Sequence, residues 1–371
     1  MNFQSFQPPR RILMGPGPSD ISPQVLAAQS RPTVGHLDPL FIDMMDEVKA
    51  LLQYAFQTEN EATLAISAPG SAGMEACFVN LVEPGDKVIV CVNGVFGARM
   101  AENVRRCGGE AVLVESPWGR AVELDKVEAA LKAHPDAGFL AFVHAETSTG
   151  ALSDAEGLCA LAQRHGVLTI VDAVTSLGGV PLHVDKWGID AIYAGSQKCL
   201  SCVPGLSPVS FSERALAKIK GRKTPVQSWF LDQSLVMDYW AGQGKRSYHH
   251  TAPVNTLYAL HEALLLLHKE GLEASWQRHR QMHEYLAQGL EGMGLAFIVP
   301  EAERLPQLNA VWIPDDADDT AVRAALLEHF NLEIGAGLGD FAGKAWRIGL
   351  MGHGARPENV ALCLSALSSV L

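Results

Sequence analysis

The sequence is poor in positive charge. Its 371 residues carry a formal net charge of −12, and no basic run exceeds short groups such as Lys218 to Lys223, which argues against nucleic acid and anionic membrane surfaces as partners. An anionic substrate would need a local positive group to attract it. Long apolar runs are missing too. The longest, near Leu260 to Leu267, is too short to span a bilayer, and Met1 to Arg10 lacks the apolar core of a signal peptide. The C-terminal Ser369-Val370-Leu371 is not the peroxisomal Ser-Lys-Leu, so a cytoplasmic protein is expected. Cysteines number only seven and are scattered among apolar residues, the pattern of buried thiols in a reducing compartment. Cys199 and Cys202 do form a C-x-x-C, but no second ligand pair stands at zinc-site spacing and the context is not a thioredoxin-type helix start. No metal is expected. Because this pair adjoins Lys198, inactivation by an alkylating reagent is expected.

What is present is a soluble-enzyme composition, 48% hydrophobic and 19% charged, in a chain long enough for two domains. Short apolar runs at Leu64–Ser67, Lys87–Val92, Ala111–Glu115, Phe139–His144, Leu168–Val171 and Ala191–Ala194 read as buried strands, with helical patterns between several of them. That alternation predicts an α/β fold with a mostly parallel, doubly wound sheet. Phe41, Met45, Val48 and Leu52 mark one helix after Pro39, and Met74, Cys77, Phe78 and Leu81 another. From Thr251 onward the texture changes. Leu257, Leu260, Leu264 and Leu267 define a long helix, and Trp276, His283, Leu286 and Leu290 a second. Strands are expected near Phe297–Val299, Asn309–Ile313 and Ala345–Ile348, with helices near Thr320–His329 and Pro357–Val370. The expected division is an extended segment at 1–20, a large domain at 21–270 and a smaller α+β domain at 271–371. Met14 to Ser19, with its alternating glycine and proline, is expected to be irregular.

Two ionisable groups stand at strand ends, where open α/β sheets bind ligands. Asp172 closes the run Leu168–Val171, and Lys198 follows Ala191–Ala194 after Gly195 and Ser196. Either alone is as well explained by a capped turn or a solvated loop; together they suggest an acid that holds a cofactor and an amine that does chemistry. Between the Leu64–Ser67 strand and the next helix lies Ala68-Pro69-Gly70-Ser71-Ala72-Gly73, a small-residue turn whose backbone N–H groups suit a phosphate. Phe96 just past a strand end reads either as core or as a ring stacked on a flat cofactor.

These pieces, in this order, resemble the class V pyridoxal-phosphate aminotransferases of fold type I, and within them the alanine–glyoxylate and serine–glyoxylate (serine–pyruvate) group. The matching segments are G-P-G-P-S at Gly15–Ser19, M-D-E-V-K at Met45–Lys49, F-Q-T at Phe56–Thr58 and V-N-L-V-E-P-G-D at Val79–Asp86. They continue with N-G-V-F-G at Asn93–Gly97, E-T-S-T-G at Glu146–Gly150, V-D-A-V-T-S-L-G-G at Val171–Gly179 and G-S-Q-K at Gly195–Lys198. S-Y-H-H-T at Ser247–Thr251 and W-R-I-G-L-M-G at Trp346–Gly352 complete the set, which runs nearly end to end.

The resemblance implies a seven-stranded sheet in the large domain, pyridoxal 5'-phosphate as cofactor, and roles residue by residue. Lys198 would form the Schiff base and shuttle the substrate proton, and Asp172 would pair with the pyridinium nitrogen. Phe96 would stack on one ring face and Val174 on the other, with Thr147 near the ring's oxygen and the substrate. Gly70, Ser71, Ala72 and Gln197 would hold the phosphate with Tyr248 and Thr251 of a partner subunit, making the active unit a homodimer with composite sites. Arg347 would bind the substrate carboxylate as a bidentate pair. The implied reaction is a ping-pong transfer of an amino group from alanine or serine to glyoxylate or pyruvate. Aminoethylphosphonate–pyruvate and pyridoxamine–pyruvate aminotransferases share much of the pattern and stand as the alternative. Gly335-Ala336-Gly337-Leu338-Gly339 could suggest a dinucleotide site, but it is not at a first strand-to-helix turn; a flexible loop near the substrate entrance is the expectation there.

Overall fold

The computed structural model describes residues 1, 3–241 and 246–371. Its strands are β1 (Ile12–Met14), β2 (Ala62–Ile66), β3 (Lys87–Val92), β4 (Glu110–Glu115), β5 (Phe139–Val143), β6 (Ala145–Glu146), β7 (Ala151–Leu152), β8 (Leu168–Asp172), β9 (Ala191–Tyr193), β10 (Ser207–Phe211), β11 (Leu308–Trp312), β12 (Leu332–Ala336) and β13 (Ala345–Gly349). Seven of them form one sheet in the order β2-β10-β9-β8-β5-β3-β4. Only β10 runs against its neighbours β2 and β9. The central strands β5 and β8 are apolar along nearly their whole length and buried on both faces, as a parallel sheet covered by helices requires.

The expected helices formed where the apolar spacing placed them. Pro39–Phe56 buries Phe41, Met45, Val48 and Leu52, and Asp38 caps it by accepting the Leu40 N–H at 2.9 Å. Gly70–Leu81 buries Met74, Cys77, Phe78 and Leu81. Val254–Glu270 and Leu272–Gly292 meet at Gly271, whose φ of 87° lets the chain turn between them. No helix among the described residues is long and apolar enough to cross a membrane.

A second sheet of four strands, in the order β1-β12-β13-β11, surrounds a separate apolar core of Met14, Leu290, Leu326, Trp346, Ile348 and Leu367. Here the structure corrects three expectations. Met14 is not irregular but ends β1, which pairs in parallel with β12 from Ile12↔Leu332 to Met14↔Ile334; only Gly15 to Pro18 bend. Phe297–Val299 makes a single bridge, Phe297↔Val311, rather than a strand, because Pro300 has no N–H to offer and a 3-10 turn follows at Glu301–Glu303. Gly335 and Ala336, expected in a flexible loop, belong to β12 and pair with Arg347 and Trp346 of β13. The loop that follows is packed as well, with Phe341 edge-on to Trp118 at a centroid separation of 5.7 Å. Sequence reasoning also missed β10, whose Pro208 reads as a strand breaker. Its carbonyl accepts the Ala194 N–H at 2.8 Å, and the Ala194 carbonyl that a residue 208 N–H would have met takes the Ser207 hydroxyl at 2.6 Å instead.

Candidate active site

Asp172 ends β8 and is 3% exposed. Its Oδ1 accepts the Val174 N–H at 2.8 Å and its Oδ2 accepts the Tyr193 hydroxyl, from the end of the neighbouring strand, at 2.8 Å. Burial pushes its carboxyl up to about 7, against the pull of those two bonds. Tyr193 was not among the predicted residues; the signal available was a phenol at the end of an otherwise aliphatic buried run. Val174, two residues on, packs against the cradle. A Cβ added to Gly70 would lie 3.3 Å from Val174 Cγ2, and one added to Gly195 would lie 3.2 Å from Val174 Cγ1.

Lys198 is 8% exposed, and its Nζ donates to the Pro16 carbonyl. Burial pulls its amine down to about 8, with Arg347 adding to the effect. The Gly15–Ser19 segment is what covers it. Ser19 Oγ donates to the Lys198 carbonyl at 2.7 Å and its N–H to the Gln197 carbonyl at 2.9 Å. Gly17, at φ 105°, passes so close that a Cβ there would fall 2.6 Å from Lys198 Nζ. Any side chain at that position would displace the amine.

Gly70, Ser71 and Ala72 form the first turn of the helix Gly70–Leu81, and no side chain caps it. Gln197 Oε1 is buried without a partner beside this turn, where a Cβ on Gly195 would approach it to 2.8 Å. Phe96 stands in the first turn of the helix Val95–Arg106, half-buried, with the Arg99 guanidinium 4.9 Å from its ring centroid. Thr147 is buried, and its carbonyl accepts Arg347 Nη1 at 3.1 Å. Arg347 Nε donates to the Ala336 carbonyl at 2.7 Å. Both of these bonds go to carbonyls, so the guanidinium keeps its charge free of a carboxylate in a setting where burial already disfavours it. β13 thereby delivers a cation from the small sheet to the loop after β6.

Two predicted residues are not brought to this site within the chain. Tyr248 is 64% exposed and Thr251 is exposed. Between them His250 turns inward, and its Nε2 bonds Ser67 Oγ at 2.7 Å, three residues before the cradle. The adjoining C-x-x-C does not behave as expected. All seven cysteines are free and buried, and burial pushes both Cys199 and Cys202 up to about 12, so neither is a ready target for alkylation. Cys199 borders a cavity of about 500 Å³ with Val25, Leu267 and Arg278; none of the predicted site residues lines it.

The assembled residues fit pyridoxal phosphate. An uncapped helix N-terminus suits the phosphate, beside Gln197, whose buried, unpartnered amide can turn its N–H2 toward it. A buried acid and a depressed amine face each other across β8 and β9, and Arg347 awaits an anion. A family model described as aminotransferase class-V matches residues 20–340. Alanine–glyoxylate aminotransferase of Oryctolagus cuniculus is 42% identical over 98% of this chain and 93% of its own. (S)-Ureidoglycine–glyoxylate transaminase of Bacillus subtilis is 36% identical over 98% and 91%. The crystal structure of alanine–glyoxylate aminotransferase from Nostoc sp. superposes with a TM-score of 0.97 at 47% identity, covering 100% of this chain and 97% of that one.

Proposed function

This chain belongs to the class V aminotransferase family, fold type I, and is a pyridoxal-phosphate-dependent aminotransferase; we propose that it moves the amino group of a small amino acid, alanine or serine, to glyoxylate or pyruvate in a ping-pong cycle. Its nearly full-length likeness to alanine–glyoxylate aminotransferases supports the pair alanine and glyoxylate first. The observation that carries the substrate class is Arg347, a half-buried guanidinium whose bonds to Ala336 and Thr147 end on carbonyls. An α-carboxylate is the ligand that such a group lacks.

When bound, pyridoxal phosphate supplies an aldehyde that takes up the amino group and an electron-poor ring that stabilises negative charge at the donor's α-carbon. Lys198 would hold that aldehyde through its Nζ, and the same Nζ would move the proton at substrate Cα. A pKa lowered to about 8 leaves a useful fraction of it unprotonated near neutrality. Asp172 holds the pyridine nitrogen's proton, oriented by Val174 N–H and Tyr193. Phe96 and Val174 flank the ring, and the Gly70–Ala72 turn binds the phosphate with Gln197. Arg347 holds the carboxylate, while the Gly15–Ser19 segment excludes water above the amine. In this reading the active unit is a homodimer. Tyr248 and Thr251, exposed on their own chain, complete the partner's phosphate site. The seven unpaired cysteines favour the cytoplasm.

A matrix of donors (alanine, serine, 2-aminoethylphosphonate, pyridoxamine) against glyoxylate and pyruvate, followed by the cofactor's visible spectrum, tests the assignment. Alanine or serine should convert the cofactor fastest. The alternative donors carry no α-carboxylate for Arg347, and a fast half-reaction with either of them would replace the proposal with the aminoethylphosphonate–pyruvate or pyridoxamine–pyruvate reading.

A further inference from the structure

Glu146 is the one acid at the site without an assigned role. It is 0% exposed, and none of its hydrogen bonds goes to a cation. Its Oε1 accepts both the Ser148 N–H at 3.0 Å and the Ser148 hydroxyl at 2.6 Å, and its Oε2 accepts the Phe96 N–H at 3.2 Å. Ser148 Oγ in turn accepts the Val95 N–H at 3.0 Å. The pair therefore satisfies two of the orphan donors in the first turn of Val95–Arg106, a helix whose own N-cap, Gly94, offers no side chain. Gly94 has no room for one: a Cβ there would lie 2.5 Å from Glu146 Cδ. Donors reach both carboxylate oxygens, Ser148 at Oε1 and Phe96 at Oε2, and with the helix dipole they oppose the burial that pushes this carboxyl up.

We propose that Glu146 is the positioning residue for the cofactor's stacking face: by capping the helix Val95–Arg106 together with Ser148, it sets where Phe96 meets the ring. The inference rests on the assignment of Phe96 as the stacking residue. The same geometry links the stacking ring to the substrate-carboxylate group, because Thr147, between Glu146 and Ser148, is the residue whose carbonyl receives Arg347. A glutamine at position 146 would keep the volume but turn an amide N–H toward either Phe96 N–H or the Ser148 donors. Donor would then face donor, and the first turn of the helix would shift.

The test is a double-mutant cycle on cofactor binding. Apoprotein is titrated with pyridoxal phosphate, and the visible circular dichroism of the bound cofactor is recorded for wild type, Glu146→Gln, Phe96→Ala and the double variant. Glu146→Gln is expected to weaken binding about tenfold and to reduce the dichroism. In the Phe96→Ala background it is expected to change affinity less than about twofold, because its effect passes through that ring. Ser148→Ala, which removes one leg of the cap, is expected to act in the same direction and more weakly, and stands in if Glu146→Gln does not fold. Wild-type affinity in both Glu146→Gln and Ser148→Ala overturns the inference, as does an effect that multiplies with Phe96→Ala. A wild type that takes up no cofactor would instead bring down the functional reading, and this inference with it.

Discussion

The two sheets are assembled from the chain in opposite ways. The seven-stranded sheet draws on residues 62–211; Asp172 ends β8, and Lys198 lies in the turn that follows the adjacent parallel strand β9. The four-stranded sheet joins residues 12–14 to residues 308–349. It supplies Arg347 and anchors the Gly15–Ser19 segment over Lys198. In the proposed function the first sheet carries the chemistry, and the second carries recognition and cover. That division can be broken at several points.

The largest effect is expected at the centre of the first sheet. Lys198→Ala should lower amino transfer about ten-thousandfold while a 2-oxo acid still binds, measured by steady-state rate and equilibrium titration. Persistent transfer would remove the lysine from the mechanism. Trp346→Ala addresses the second sheet. Trp346 is fully buried and donates to Asp319 Oδ1 at 2.9 Å, and its loss should cost about 3–5 kcal/mol. If the two cores are separable, calorimetry will show a low-temperature transition split from the main one; a single displaced transition would mean that they melt together. Arg347→Lys keeps the charge but loses the fork, and should raise KM about a hundredfold with kcat nearly unchanged. An equal fall in kcat would give the second sheet a share of the chemistry.

Gly335→Ala is a milder probe, because its Cβ would press on the Pro16 ring. Displacing Pro16 moves the carbonyl that accepts Lys198 Nζ, and kcat should fall about tenfold with every reactive residue intact. A further probe is apoprotein stability against pH. The folded chain keeps Asp172 protonated up to about 7, whereas the unfolded chain releases that proton above its ordinary 3.8. Across that window the folded state therefore holds the extra proton, so this carboxyl adds stability as pH falls, by about 1.4 kcal/mol per pH unit. His144 and His279, pushed down to about 4 by burial, act in the opposite sense in wild type and variant alike. The difference between wild type and Asp172→Asn in chemical denaturation thus isolates the aspartate. A flat difference would mean that the acid is ionised before the cofactor arrives.

What could be read from the sequence follows the same division. Asp172, Lys198, the Gly70–Ala72 turn and Phe96 each sit where a short local pattern ends, strand to turn or turn to helix, so their placement needs only nearby residues. The pairing of β1 with β12 has no local signature, and Gly335–Ala336 read as a loop because their glycine-rich composition hides a short pairing with Arg347 and Trp346 of β13. Pro208 misled for a different reason: its missing donor is harmless because the neighbouring Ser207 hydroxyl donates to the Ala194 carbonyl in its place. Tyr193 and Glu146 escaped because they act on other residues rather than on a ligand. Burial, which reverses the expectation for Cys199, is a property of the fold that spacing alone does not report.

The parallel pairing of Ile12–Met14 with Leu332–Ile334 also imposes an order on biosynthesis. On the ribosome Ile12–Met14 is made before the large sheet, yet its hydrogen-bonding partner follows only about 320 residues later. The large sheet can close in the meantime with Lys198 still bare. Only when β12 arrives does the earlier segment find its seat and draw the Gly15–Ser19 strap across Lys198, so that the site is covered by a segment made before it. A nascent chain cut short before Leu332 would hold a formed sheet and an uncovered lysine.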